Sequence, residues 1–298
     1  MRLILILFLA LLLFACTTKE TSRTFDLQGH RGARGLLPEN TIPSFLIAID
    51  HEVDTIEFDM VVTKDRQILI SHEPWFHHHI STKPDGTPVT EEEQMEYNIY
   101  DMTYEETQQF DVGMRGHVNF PNQQPMEATK PLMRDAIRAI EAYVQEMNLD
   151  PVWYNIETKS NPDLYGEYYP YPAEYAELLY EELKTLHTEF DLFDRINIQS
   201  FDPATLIEFR QLNPEITQAI LISSDDPIEA YLNELDYTPE IWSPNYNRVT
   251  PDIVQEAHQR GMKVIPWTIN TVDEMRRQLD MGVDGIITDY PDSASVLR

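Results

Sequence analysis

Basic residues are scarce in this chain: 22 Lys and Arg stand against 51 Asp and Glu among 298 residues, a formal net charge of −29. So acidic a chain repels polyanions and has no basic stripe with which to release counterions, which excludes nucleic-acid partners. Cysteine is scarcer still. A single residue excludes an internal disulfide framework and any Cys-rich metal site. No glycine-rich fingerprint follows the first β-rich run, which argues against a Rossmann dinucleotide fold. What is present is material for a core: 42% of residues are hydrophobic and 10% aromatic, so disorder is not the default. The length allows one large domain or two small ones, and α/β barrels use roughly 250 residues as one unit.

The position of the lone Cys carries information. Met1 and Arg2 precede an apolar run, Leu3 to Phe14, which ends at Ala15 and Cys16 and gives way to Thr17, Thr18, Lys19 and Glu20. The run is too short for a permanent membrane span, and its basic start and small terminal residue match an export signal. Leu13-Phe14-Ala15-Cys16 resembles a bacterial lipobox, in which the Cys becomes the lipidated first residue of the mature protein. The expected organisation is therefore a signal peptide at 1–15, a lipid-anchored linker at 16–24 and a folded domain at 25–298. The expected location is a bacterial membrane, facing the periplasm or the cell surface.

Beyond residue 24, short β-rich runs alternate with amphipathic segments, the pattern of βα units around a parallel sheet. Candidate strands are Phe25–Gly29, Thr55–Asp59, Ile68–Ser71, Val152–Glu157, Arg195–Gln199, Ala219–Ile222, Glu240–Ser243, Lys263–Trp267 and Gly285–Thr288. Helices are expected from an Asn40 cap through Asp50, from Pro131 through Glu146, from Pro172 toward His187 and from Asp202-Pro203 through Leu212. Others fit Pro227–Leu235, Pro251–Arg260 and Val272–Met281, with Gly261 and Gly282 as C-terminal stops. Nine candidate strands exceed the eight slots of a (β/α)8 barrel, so one lies outside it or is miscast. Residues 73 to about 130 break the rhythm and are far too long for a βα loop, which predicts an insertion folded over one end of the barrel as a cap.

Chemistry gathers at the strand ends. Glu57 and Asp59 are two residues apart on one strand and share a face, as do Glu157 and Lys159 on another. An acid pair at this spacing also describes a solvated strand edge. Carboxylates converging at a barrel mouth, however, repel one another unless a cation or shared protons neutralise them. All-oxygen ligands favour a hard ion, Ca²⁺ or Mg²⁺, over zinc. His30 and His72 each follow a candidate strand, where catalytic groups collect in barrels. Two imidazoles can take a proton from a nucleophile and give one to a leaving group, which suits phosphoryl or acyl transfer. Arg31 and Lys159 favour phosphoryl transfer, because a guanidinium and an ammonium beside the acids receive a phosphate well.

His30-Arg31-Gly32-Ala33-Arg34-Gly35, Pro38-Glu39-Asn40-Thr41, Glu57-Phe58-Asp59, Thr63-Lys64-Asp65 and His72 together resemble the N-terminal signature of glycerophosphodiester phosphodiesterases. Asn155-Ile156-Glu157-Thr158-Lys159, Gln199-Ser200-Phe201-Asp202, Trp267-Thr268-Ile269-Asn270 and the run Gly282 to Asp289 continue the resemblance in the same order. It implies an α/β protein with a distorted TIM-type (β/α)8 barrel and a cap inserted after the third strand. The implied reaction is divalent-cation-dependent hydrolysis of glycerophosphodiesters to an alcohol and glycerol 3-phosphate. By position, Glu57, Asp59 and Glu157 would be metal ligands, with Ca²⁺ expected ahead of Mg²⁺. His30 and His72 would form the acid/base pair, Arg31 and Lys159 would hold phosphate, and Gln199, Phe201 and Trp267 would line the pocket. Glu39 is placed either near the site or in the first turn of its helix, where an acid favours the macrodipole.

Two other readings stay open: an enzyme acting on intact lysophospholipids or phosphoinositides, and a non-catalytic binding lipoprotein that keeps the barrel as scaffold. A scaffold has no need to hold mutually repelling carboxylates at one end, which argues against the latter. His77-His78-His79 reads as a solvated loop, because consecutive side chains of a regular segment diverge. Glu91-Glu92-Glu93 reads as an exposed acidic face, and the Tyr-rich Tyr165–Tyr175 stretch as a packed loop near the site.

Overall fold

The structure, a computed structural model, describes residues 25–298. The expected export segment and Cys16 lie outside the described residues. All nine expected strands form: β1 (Asp26–Gly29), β2 (Thr55–Val62), β3 (Ile68–Ile70), β4 (Trp153–Thr158), β5 (Ile196–Ser200), β6 (Thr217–Ile222), β7 (Ile241–Pro244), β8 (Lys263–Val264) and β9 (Gly285–Thr288). Between them run α1 (Ile42–Asp50), α2 (Tyr104–Thr107), α3 (Met133–Glu146), α4 (Pro172–Phe190), α5 (Pro203–Leu212), α6 (Ile228–Leu235), α7 (Pro251–Gln259), α8 (Val272–Asp280) and α9 (Pro291–Ala294).

Eight strands are parallel, in the order β8-β7-β6-β5-β4-β2-β1-β9. The two ends of this order meet through backbone bonds from Asp284 to the Val264 carbonyl (2.9 Å) and from Ile287 to the Pro266 carbonyl (3.0 Å), which close a distorted (β/α)8 barrel. The surplus strand is β3. It pairs antiparallel to β2, Met60 opposite Ile70 and Val62 opposite Ile68, and lies off the barrel path. β8 is shorter than the expected Lys263–Trp267 because Pro266 brings no N–H to the ladder.

Helix ends follow local chemistry, with two corrections. Thr41, not Asn40, caps α1: Thr41 Oγ1 accepts the Ser44 N–H, whereas Asn40 sits in the left-handed region at φ 56° and sends its amide elsewhere. α3 starts at Met133 rather than Pro131 and has no side-chain cap. Asp202 caps α5 as expected, its Oδ1 accepting the Ala204 N–H at 3.0 Å. Gly261 and Gly282 follow α7 and α8 at φ 84° and 90°, a conformation a Cβ would strain.

The main core lies between barrel and helices, where outward strand residues such as Ile56, Phe58 and Ile156 meet Phe45, Ile137, Leu179 and Phe209. A second cluster belongs to the cap. Phe76, Ile80, Val89, Ile99, Phe110 and Val112 pack on Val61 and Leu69 of the β2–β3 hairpin and on Tyr168 and Tyr169. Residues 73–130 are thereby seated on the barrel's own hairpin through a continuous apolar contact. The Tyr-rich stretch divides: Tyr168 and Tyr169 are buried against the cap, Tyr171 is exposed, and Tyr175 lies buried within α4.

Candidate active site

Parallel pairing brings the acids together. In the ladder Glu57 lies beside Asn155, Asp59 beside Glu157, and Glu157 beside Gln199, so residues distant in sequence share adjacent layers facing the barrel axis. Oxygen atoms of Glu57, Asp59 and Glu157 lie within 4.8 Å of one another, and all three side chains are buried. Glu57 Oε2 accepts the Arg31 backbone N–H (2.8 Å) and Oε1 accepts Gln199 Nε2 (2.9 Å). Asp59 Oδ2 accepts Asn40 Nδ2 (2.9 Å), while its buried Oδ1 has no hydrogen bond and lies 3.6 Å from Lys159 Nζ. Glu157 Oε1 receives Lys159 Nζ at 2.6 Å.

Burial, reinforced by the neighbouring carboxylates, pushes Glu57 well above the ordinary carboxyl range. Burial also raises Glu157, to about 7, with Lys159 pulling the other way and Asp59 adding to the rise. Asp59 is the exception: His72, Arg31, Lys159 and the Asn40 amide outweigh its burial and hold it low. Three buried carboxyls, two reluctant to ionise and one offering an orphaned oxygen, fit a hard divalent cation.

The histidines meet at this mouth by different routes. His30 directly follows β1, its backbone N–H bound to the Thr288 carbonyl (2.8 Å), and its Nδ1 lies 2.5 Å from Asp289 Oδ1. Asn270 Nδ2 holds the other Asp289 oxygen at 2.7 Å. His72 does not end a barrel strand, contrary to the expectation from its position. It follows the antiparallel β3, and the hairpin carries it back to the mouth, with Ser71 N–H bound to the Asp59 carbonyl (2.9 Å). Its Nδ1 lies 2.6 Å from Glu73 Oε1. Burial lowers the pKa of both imidazoles, their carboxylate partners opposing it. For Asp289, His30 and its hydrogen bond overcome burial and bring the carboxyl to about 2.

Arg31 occupies a left-handed turn at φ 52°, where its backbone serves Glu57 while its guanidinium reaches Glu39 Oε1 (Nη1, 2.8 Å) and Asp59 Oδ2 (Nε, 3.4 Å). Next to it Gly32, at φ 86°, packs so tightly that a Cβ would fall 2.6 Å from Ser44 Oγ. Glu39 precedes α1 and supports no helix turn. It is ion-paired with Arg31 and Arg34, which outweigh its burial and hold its carboxyl at about 2.

A cavity of about 180 Å³ opens between these groups, lined by His30, Arg31, Glu57, His72, Glu157, Lys159, Gln199, Phe201 and Trp267 among others. Of the expected site residues only Asp59, beneath Lys159, is not on its wall. Phe201 and Trp267 meet edge to face, ring centroids 5.4 Å apart. A larger cavity, about 540 Å³, opens at the strands' N-terminal ends beside Asp26, Asp54 and Lys263, and contains neither histidine nor the acid triad.

Sequence reasoning gave no part in the site to Asp289, Asn270, Arg34 or Glu73, and placed Asn40 only as a helix cap. Asp289 and Asn270 stood inside the quoted motifs, and an acid directly after the last barrel strand was the available signal. The His77–His79 expectation is corrected. A turn closed by Ile80 and Ser81 N–H groups on the His77 carbonyl (3.2 and 3.0 Å) curls the triplet, leaving the rings 4.1–4.7 Å apart instead of diverging.

A capped parallel barrel whose mouth holds an acid triad, two carboxylate-paired histidines and two buried cations defines a hydrolase of anionic esters. The profile of the Glycerophosphoryl diester phosphodiesterase family matches residues 30–293, and the chain belongs to that family of phosphoric diester hydrolases. It is 27% identical to a glycerophosphodiester phosphodiesterase of Bacillus altitudinis, over 90% of this chain and 96% of that one. A second relative of that name, from Caldanaerobacter subterraneus subsp. tengcongensis, is 26% identical over 89% of this chain and 93% of that one. Among solved structures, an Oleispira antarctica phosphodiesterase in complex with the product sn-glycerol-3-phosphate superposes with a TM-score of 0.71 at 23% identity, covering 92% of this chain and 97% of that one.

Proposed function

We propose that this protein hydrolyses glycerophosphodiesters, the deacylated remains of phospholipids, to an alcohol and sn-glycerol 3-phosphate. In this reading Glu57, Asp59 and Glu157 hold a divalent cation, Ca²⁺ ahead of Mg²⁺, and His30 and His72 are the acid and base. The carrying observation is one mouth in which three buried carboxyls converge between two imidazoles, each fixed at Nδ1 by its own carboxylate. The names of the Bacillus and Caldanaerobacter relatives support the substrate class, and the Oleispira product complex supports the product.

A divalent ion held by the triad supplies Lewis-acid polarisation of a phosphoryl oxygen. The chain's own residues do the rest. Arg31 and Lys159, already positioned by ion pairs, receive the remaining phosphoryl oxygens and offset the charge that grows on them. Gln199 steadies Glu57, and Phe201 with Trp267 gives the glycerol carbons an apolar wall. With Nδ1 engaged, each histidine works through Nε2: one takes the proton of the attacking hydroxyl, the other protonates the departing alcohol. The N-terminal segment belongs to the same proposal, with Cys16 lipidated and the barrel tethered to the membrane whose lipids supply its substrate.

His30→Ala and His72→Ala are expected to lower kcat by about 10²–10⁴-fold, the usual worth of a general acid or base. Calorimetry should find cation binding retained in both. Parallel loss of cation binding would make the histidines part of the ion site and end this assignment.

A further inference from the structure

Next to the catalytic cavity lies a second one of about 210 Å³, roofed by the cap and sharing Arg31, Arg34 and His72 with the first. Its far wall carries His77 and His117, both cap residues without a part in the mechanism. Each has its Nδ1 occupied as an acceptor of backbone N–H, from His79 at 3.2 Å and from Asn119 at 3.1 Å. A neutral imidazole has one donor and one acceptor nitrogen, so both rings are fixed in the tautomer whose Nε2–H is the donor. Burial keeps them neutral, His117 at about 4 and His77 below its ordinary value. Facing them is the buried Glu39 Oε2, 3.9 Å from His117 Nε2 and ion-paired with Arg34 Nε at 2.9 Å, a carboxylate oxygen with a second lone pair to offer.

The wall therefore offers N–H donors and a carboxylate acceptor, and its charges balance, the guanidiniums of Arg31 and Arg34 against the carboxylates of Glu39 and Glu73. Glu39 is ion-paired with Arg31 and Arg34, and Glu73 Oε1 holds His72 Nδ1 at 2.6 Å. No Phe, Tyr or Trp face lines it to receive a quaternary ammonium. Its volume corresponds to about seven waters at roughly 30 Å³ each, room for a small polyol.

We propose that this cavity is the subsite for the departing alcohol, and that its hydrogen-bonding wall selects hydroxylated headgroups, such as glycerol, over quaternary ammonium headgroups, such as choline. The proposal rests on the phosphodiesterase reading of the neighbouring cavity. Hydroxyls of the headgroup accept from the Nε2–H groups and donate to Glu39 Oε2, whereas a trimethylammonium group can make none of these hydrogen bonds.

The test compares kcat/KM for glycerophosphoglycerol and glycerophosphocholine with the purified full-length protein, its His117→Phe and His77→Phe variants, and His117→Gln, which keeps an N–H donor. The wild type is expected to favour glycerophosphoglycerol by about tenfold or more, and each Phe variant to cut that ratio by about fivefold, one neutral hydrogen bond each. His117→Gln should recover part of the ratio, which a purely structural role for the ring would not produce. Equal kcat/KM for the two diesters, or a ratio unmoved in the Phe variants, overturns the subsite alone. No hydrolysis of either diester overturns the phosphodiesterase reading, and the subsite with it.

Discussion

Glu57 and Glu157 carry the sharpest consequence at the scale of single residues. Burial raises both, Glu157 to about 7, so near neutrality a cation must compete with protons for the triad. The sign follows directly: a raised pKa favours the protonated form, the deprotonated form binds the ion, and affinity falls as pH drops through about 7. The Glu157 proton alone predicts about tenfold weaker Ca²⁺ or Mg²⁺ binding at pH 6 than at pH 8, with proton release in calorimetry and any Glu57 proton adding to the loss. Affinity constant over that range would show that the acids are ionised without the ion. Two-residue steps on a strand put Glu57 and Asp59 on one face, and the family resemblance added Glu157 to complete the triad. Asp289 and Asn270 were not legible, since Asp289 follows β9, 259 positions after His30 in the chain, and Asn270 holds it from the loop between β8 and α8, and only the barrel's closure brings them near.

Among elements, α1 and β2 set the site's geometry. Phe58 points outward from β2 between the two inward acids and meets Phe45 of α1, ring centroids 5.6 Å apart, both fully buried. This contact anchors the turn from Arg31 to Asn40 whose side chains reach the acids. Phe45→Ala is expected to destabilise the protein by about 3–5 kcal/mol, the usual cost of emptying a buried aromatic position, read as a lower urea midpoint. A cost within about 0.5 kcal/mol, typical of surface positions, would remove α1 from that role. The alternation of strands and helices was readable from periodicity and caps. The direction of β3 was not, because the three apolar residues Ile68–Ile70 have the same composition whether they close a barrel or form a hairpin. For the same reason His72 was assigned to the right mouth by the wrong route. The His77–His79 turn was hidden as well, since a side-chain period exists only for regular backbone.

For the molecule as a whole, the acidic composition and the N-terminal segment bear on where the enzyme works. Cys16→Ser is expected to move the protein from the membrane fraction to the soluble one without loss of diesterase activity in extracts. Equal membrane association of the two forms would refute lipidation at Cys16. The barrel and its active mouth were both expected from the sequence, because βα alternation is a property of the entire chain and the strand-end motifs recur in fixed order. The cap's interior was not, since residues 73–130 have no repeating period and their packing depends on contacts with Val61, Leu69 and Tyr169. The reaction itself is read by release of sn-glycerol 3-phosphate from glycerophosphoglycerol and glycerophosphocholine, with added Ca²⁺ or Mg²⁺ and again with excess chelator. Release is expected to require the ion and to stop with chelator. Absence of release from folded, cation-loaded protein, or release that survives complete removal of the ion, would contradict the proposed reaction.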